Sequence, residues 1–116
     1  MSDTDIRRVR ESDLTAVVRL VHELALFERA PLECQLNRSQ LRRALFGPEP
    51  ALFGHVAEVQ SKVVGCALWF LNFSTWKGSH GIYLEDLYVQ PDHRGRGLGR
   101  GLLAALAAES CRRGFS

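Results

Sequence analysis

Residues 83–101, YLEDLYVQPDHRGRGLGRG, decide how this chain is read. Tyr83 to Val89 has the aromatic and aliphatic content of a strand, and it carries two adjacent carboxylates, Glu85 and Asp86. Pro91-Asp92 turns the chain, and glycines follow at every second position, 95, 97, 99 and 101. The leucines and alanines beyond them predict a helix over 98–113, closed by Gly114.

A glycine-rich junction between a strand and a helix is suited to holding an anion. Gly95, Gly97 and Gly99 lack side chains, so successive amides can approach a phosphate closely. The positive end of the helix dipole favours the same charge. Arg94, Arg96 and Arg100 add bidentate donors and counter-charge, so the stretch predicts a pyrophosphate site. Two other glycine motifs fit less well. The phosphate loop of nucleotide hydrolases needs a Gly-Lys-Ser/Thr that does not occur here. A dinucleotide fingerprint on Gly99, Gly101 and Ala104 calls for an acidic residue about twenty positions on, beyond Ser116.

Working outward, residues 5–9 read as a first strand. Ser12 is placed to cap a helix running to about Arg29, with Leu14, Val17, Val18, Val21, Leu24 and Ala25 on one face and Pro31 as its stop. A shorter helix is capped by Asn37 and ends at Gly47-Pro48. Residues 52–59 and 63–73 read as a hairpin turning at Gln60-Ser61-Lys62. A loop over 74–80 carries Trp76, and 81–90 form a fourth strand. The order of strand, helix, helix, three strands and helix describes one α/β domain over residues 1–116, without repeats or linkers. A strand commonly follows such a helix and covers the open sheet edge, so the ending at Gly114-Phe115-Ser116 predicts a domain truncated at its C-terminus.

Composition narrows the function classes. The net charge of +2 gives no argument for nucleic acid or an acidic membrane, although Arg outnumbers Lys by thirteen to two. Arg10, Arg19, Arg42 and Arg43 are scattered, as solvated surface residues are. Cys34, Cys66 and Cys111 are odd in number and far apart, which argues against a disulfide framework and for a reducing cytoplasm. His22, His55, His80 and His93 form no metal-ligand spacing, so no metal is expected. MSDTDIRR has no signal-peptide character, and no apolar run approaches the roughly eighteen residues of a membrane helix.

Arg94-Gly95-Arg96-Gly97-Leu98-Gly99 after a strand resembles the R-x-x-G-x-G/A signature of the GCN5-related N-acetyltransferases, which binds the pyrophosphate of acetyl-CoA. Phe27-Glu28, Val56-Ala57-Glu58-Val59, Val64-Gly65, Ser74-Thr75-Trp76-Lys77-Gly78 and Tyr83-Leu84-Glu85-Asp86 are similar to the diamine (spermidine/spermine) N-acetyltransferases. The Ser-Thr-Trp-Lys-Gly loop looks most like their thialysine Nε-acetyltransferase branch. The resemblance implies a mixed, mainly antiparallel sheet flanked by helices, with further C-terminal strands and a fourth helix absent from this chain. It implies acetyl-CoA as co-substrate, a homodimer, and a tyrosine in the absent part that protonates the leaving thiolate. Neither Tyr83 nor Tyr88 maps onto that tyrosine.

Acetyl transfer to an amine needs an unprotonated nitrogen, yet an alkyl ammonium has a pKa of about 10. A carboxylate can hold the ammonium and take its proton, and Glu85 is the catalytic candidate, as the resemblance also implies. Strand alternation predicts that Asp86 points to the other face, so the pair forms no acid/base dyad unless a bulge intervenes. The resemblance further assigns the main chain of Leu87, Tyr88 and Val89 to the cofactor's pantetheine and thioester. It assigns Phe27, Glu28 and Trp76, with Glu85 and Asp86, to an acidic and aromatic acceptor pocket. The reading is thus an N-acetyltransferase for a diamine, polyamine or thialysine-like amine, with protein or peptide amines as the alternative acceptor. A CoA-binding or oligomerisation module without turnover is the rival from another class, and a nucleic-acid binder is the third.

Overall fold

The computed structural model describes residues 3–115. Strands β1 (Thr4–Arg8), β2 (Phe53–Val59), β3 (Lys62–Ser74) and β4 (Ser79–Val89) form an antiparallel sheet in the order β1-β2-β3-β4. Gln60 and Ser61 make the tight turn between β2 and β3, both with left-handed backbone (φ 51° and 65°), which suits the twist of a two-residue hairpin. Helices α1 (Leu14–Phe27) and α2 (Arg38–Phe46) follow β1, and α3 (Leu98–Arg112) follows β4.

The apolar periodicity of each helix decides which face of the sheet it covers. Leu14, Val17 and Leu20 of α1 join Leu41 and Leu45 of α2 over Val56, Cys66, Leu68 and Tyr88. Leu98, Leu102 and Leu106 of α3 cover Ala57, Val64, Ala67 and Trp69 on the opposite face. Trp69 is wholly buried, and its indole N–H donates to His55 Nδ1 at 3.1 Å, which leaves the imidazole proton on Nε2.

Capping departs from expectation at α1 and follows it at α2. Ser12 does not cap α1. Glu11–Asp13 forms a 3-10 turn, and the Asp13 carboxylate accepts the Arg10 amide at 2.7 Å and two Arg7 N–H bonds at 2.8 and 3.0 Å. A carboxylate can compensate a buried guanidinium where a hydroxyl cannot, so the residue after Ser12 takes the junction. The helix also stops at Phe27, two residues early, because Arg29 turns left-handed (φ 62°) and Ala30 N–H bonds to Ala25 O at 2.9 Å. At α2, Asn37 Oδ1 accepts from the Gln40 amide at 2.8 Å while Gln40 Oε1 accepts from the Asn37 amide at 3.0 Å, a reciprocal capping box.

Candidate active site

β4 carries both halves of the candidate site, and its pairing with β3 sets their geometry. Leu68 lies opposite Asp86, but Trp69 lies opposite Leu84, so Glu85 is an extra residue in the ladder. This bulge resets the alternation. Leu84 and Leu87 pack with the α3 core and Tyr88 with the α1 core, while Glu85 and Asp86 both line cavities on the α1 face. The expectation that the two carboxylates face apart is therefore corrected by the bulge.

The carboxylates face a cavity of about 310 Å³ lined also by Val21, Ala25, Glu28, Glu33 and Cys34. Partial burial raises the Asp86 carboxyl above its ordinary range, and the neighbouring charges of Glu85 and Glu28 push it further the same way. A cation entering here would relieve that repulsion. The sequence assigns neither Glu33 nor Cys34 to the site, because the loop that carries them reaches β4 only through the packing of α1.

Beyond the carboxylates β4 turns its main chain outward. The Gln90 amide bonds to Val64 O at 2.9 Å, so by antiparallel alternation the N–H and C=O groups of Leu87 and Val89 point to the strand's outer edge, and those of Tyr88 point to β3. Among the described residues, β4 has only β3 as a strand neighbour.

The glycine junction forms a cleft of about 510 Å³ lined by Val89, Arg94, Gly95, Gly97, Gly99 and Arg100, with His93. Gly95 and Gly97 adopt left-handed backbone (φ 80° and 79°), and a Cβ at 95, 97 or 99 would meet no atom within 4 Å. Helix α3 begins at Leu98 and Gly101 N–H bonds back to Gly97 O, so the amides of Leu98, Gly99 and Arg100 precede the first helical bond. An open cradle, a helix N-terminus and exposed Arg96 and Arg100 fit a pyrophosphate by shape and charge. His93 belongs to this wall too, with its Nδ1 buried and unpaired. Its place two residues before Gly95 was the available signal.

Arg94 plays a further part. Its Nε donates to Val89 O at 2.8 Å, and its guanidinium lies 4.9 Å from the Phe27 ring and 5.5 Å from the Tyr88 ring. Phe27 is thereby joined to the glycine loop and is not among the residues lining the carboxylate cavity. Glu23, missed in the sequence although it lies one helical turn before Phe27, accepts from Tyr88 Oη at 3.2 Å and from Gln90 Nε2 at 3.1 Å. These contacts anchor the end of β4 to α1. Trp76 stands apart, 99% exposed in the turn between β3 and β4. Among the described residues no group of His, Cys, Asp and Glu is arranged to hold a metal ion, and no helix is long and apolar enough to cross a membrane.

Residues 17–116 match the acetyltransferase (GNAT) family. The mouse thialysine N-epsilon-acetyltransferase is 36% identical over 124 aligned positions, spanning 100% of this chain and 72% of the mouse protein. The human spermidine/spermine N(1)-acetyltransferase-like protein 1 is 31% identical over 88% of this chain and 16% of its own length. Among solved structures, an aminoglycoside acetyltransferase from an uncultured soil metagenomic sample superposes with a TM-score of 0.80, covering 98% of this chain and 74% of that one. At 20% identity that likeness speaks for the fold alone. The chain belongs to the acetyltransferase (GNAT) family, a family of transferases, and has its fold.

Proposed function

We propose that the protein transfers the acetyl group of acetyl-CoA to a primary amine of a small cationic acceptor, a diamine, a polyamine or a thialysine-like amino acid. The observation that carries this reading is the bulge at Glu85, which turns two carboxylates into one cavity beside Glu28. An acidic cavity attracts an ammonium, and a carboxyl already raised by burial and like charge is the better base for its proton. Asp86 shares this work with Glu85, which stands at the exposed side of the pair.

The glycine cradle with Arg96 and Arg100 would hold the pyrophosphate, and the outward main chain of Leu87 with the Val89 amide would pair with the extended pantetheine arm, the Val89 carbonyl being held by Arg94. Acetyl-CoA, when bound, supplies the activated thioester carbonyl. The chain's residues bring the amine to it: Glu85 and Asp86 orient the ammonium and accept its proton as the nitrogen becomes nucleophilic. Tyr88 is engaged elsewhere, since its hydroxyl donates to Glu23. The free thiols of Cys34, Cys66 and Cys111 support a reducing, cytoplasmic setting. The resemblance to diamine acetyltransferases supports a homodimer, which size-exclusion chromatography tests.

A thiol-release assay with acetyl-CoA and a panel of diamines, thialysine and lysine-containing peptides tests the proposal. Release dependent on a small amine supports it. Release with peptides alone moves the acceptor class to proteins. Acetyl-CoA binding without release for any amine makes the protein a binding module.

A further inference from the structure

The acceptor face of the sheet holds two cavities that share a wall. Val21, Cys34, Glu85 and Asp86 line both. One is the acidic cavity described above. The other, of about 560 Å³, runs from the carboxylates beneath the segment joining α1 to α2, between Leu36, Leu41, Leu52, Leu68 and Phe70. Its floor is core: Leu41 and Leu68 are 1% and 2% exposed. Its rim is half-buried Leu36, Leu52 and Phe70. The roof is held in place, because His22 Nε2–H donates to Leu36 O at 2.8 Å and the Asn37–Gln40 capping box starts α2 directly afterwards.

An unbranched polyamine anchored in the acidic cavity has no side branch to fill this apolar wall. With its methylenes along the acidic cavity, the second cavity would be left to water, which finds polar partners at Gln35 and the carboxylates but none along the leucines and the phenylalanine. A pocket with apolar walls and convergent charges at one end is shaped for an amphipathic ligand, charged where the carboxylates are and greasy beyond them. Building on the amine-acetylation reading above, we propose that the acceptor is a primary amine bearing an aliphatic or aryl branch, with its ammonium at Glu85 and Asp86 and its branch between Leu36, Leu52 and Phe70. The branch would be isobutyl- to phenyl-sized. Specificity would then rest on the loop before α2 as much as on the carboxylates.

The test compares putrescine with putrescine carrying an isobutyl or phenyl branch, using two readouts. In steady-state acetylation, the branched amine is expected to show a kcat/KM about tenfold higher, the scale on which an apolar pocket rewards an added group. Leu36→Asn and Leu52→Asn, each checked for folding by circular dichroism, should bring the branched-to-linear ratio towards one. The second readout needs no turnover. Cys34 lines both cavities, so the branched amine should slow its alkylation by iodoacetamide more than putrescine does, with exposed Cys111 as the reference peptide in mass spectrometry. If putrescine is acetylated as well as or better than its branched forms, and Cys34 is protected equally by both, the branch is refuted while acetyl transfer stands. If no amine is acetylated but the branched amine protects Cys34 selectively, the apolar subsite stands and the acetylation reading falls. Equal protection without turnover overturns both.

Discussion

Glu85 and Asp86 are adjacent in sequence and face the same side of the sheet, which regular strand alternation forbids. Their roles separate through environment. In Glu85→Gln the shape is kept and the charge is lost, so amine turnover should fall by about 10²-fold while acetyl-CoA binding persists. Wild-type kcat/KM for that variant across the pH range would remove Glu85 from the mechanism. Asp86 makes a prediction about stability. Its carboxyl is raised above the ordinary 3.8 by burial first, then by Glu85 and Glu28. The folded state therefore binds this proton more readily than the unfolded chain, and stability falls as pH rises from the unfolded value through the raised one. Asp86→Asn escapes that loss. It should melt higher than wild type at neutral pH, with the difference shrinking as pH falls through the raised value and gone below about 4. A melting difference that grows on acidification would contradict the raised carboxyl.

At the scale of elements, the junction from β4 to α3 is built by backbone, and its variants separate strain from occupancy. Gly97→Val forces a branched residue into left-handed backbone, and acetyl-CoA affinity should fall about tenfold or more. Gly99 has ordinary backbone and open space before it, so Gly99→Ala should fold as wild type does. Its methyl group would nonetheless project into the open space that the proposal gives to a phosphate. Unchanged calorimetric affinity in both folded variants would count against the pyrophosphate assignment.

At the scale of the whole molecule, polar contacts on the β1 edge of the sheet, opposite the β4 edge, tie the first strand to its neighbours. Arg7 bonds Asp13 and, at 3.3 Å, Glu58, tying β1 to the start of α1 and to β2. Burial alone would raise the Asp13 carboxyl, but the Arg7 guanidinium and the Arg10 amide outweigh it and hold the group below its ordinary 3.8. A depressed carboxyl contributes stability that is present above the unfolded pKa and lost as pH falls through the folded one. Asp13→Asn should cost roughly 2–3 kcal/mol at pH 7, less than a fully buried pair because Glu58 still faces Arg7. Urea unfolding at pH 7 and pH 2.5 checks both parts, and an equal cost at the two pH values would exclude the ion pair as its source.

Local chemistry determined what was legible in the sequence. The apolar stripe of α1, the leucine- and alanine-rich run of α3, the Asn37 cap, the hairpin at Gln60-Ser61 and the strand-to-helix glycine run each depend on residues within a turn or two, so local sequence located them. Tertiary structure decided what depends on a partner distant in the chain. Asp13 displaced Ser12 at the head of α1 because its carboxylate had the buried Arg7 to compensate, a demand visible only once β1 is packed. Glu23 acquired its role from Tyr88 and Gln90, more than sixty residues away. The bulge that unites Glu85 with Asp86 arises from the register of β4 on β3, and nothing between residues 83 and 89 announces it. Strand alternation is a local rule, whereas the place where a ladder breaks it is set by both strands and by the helices packed on their faces.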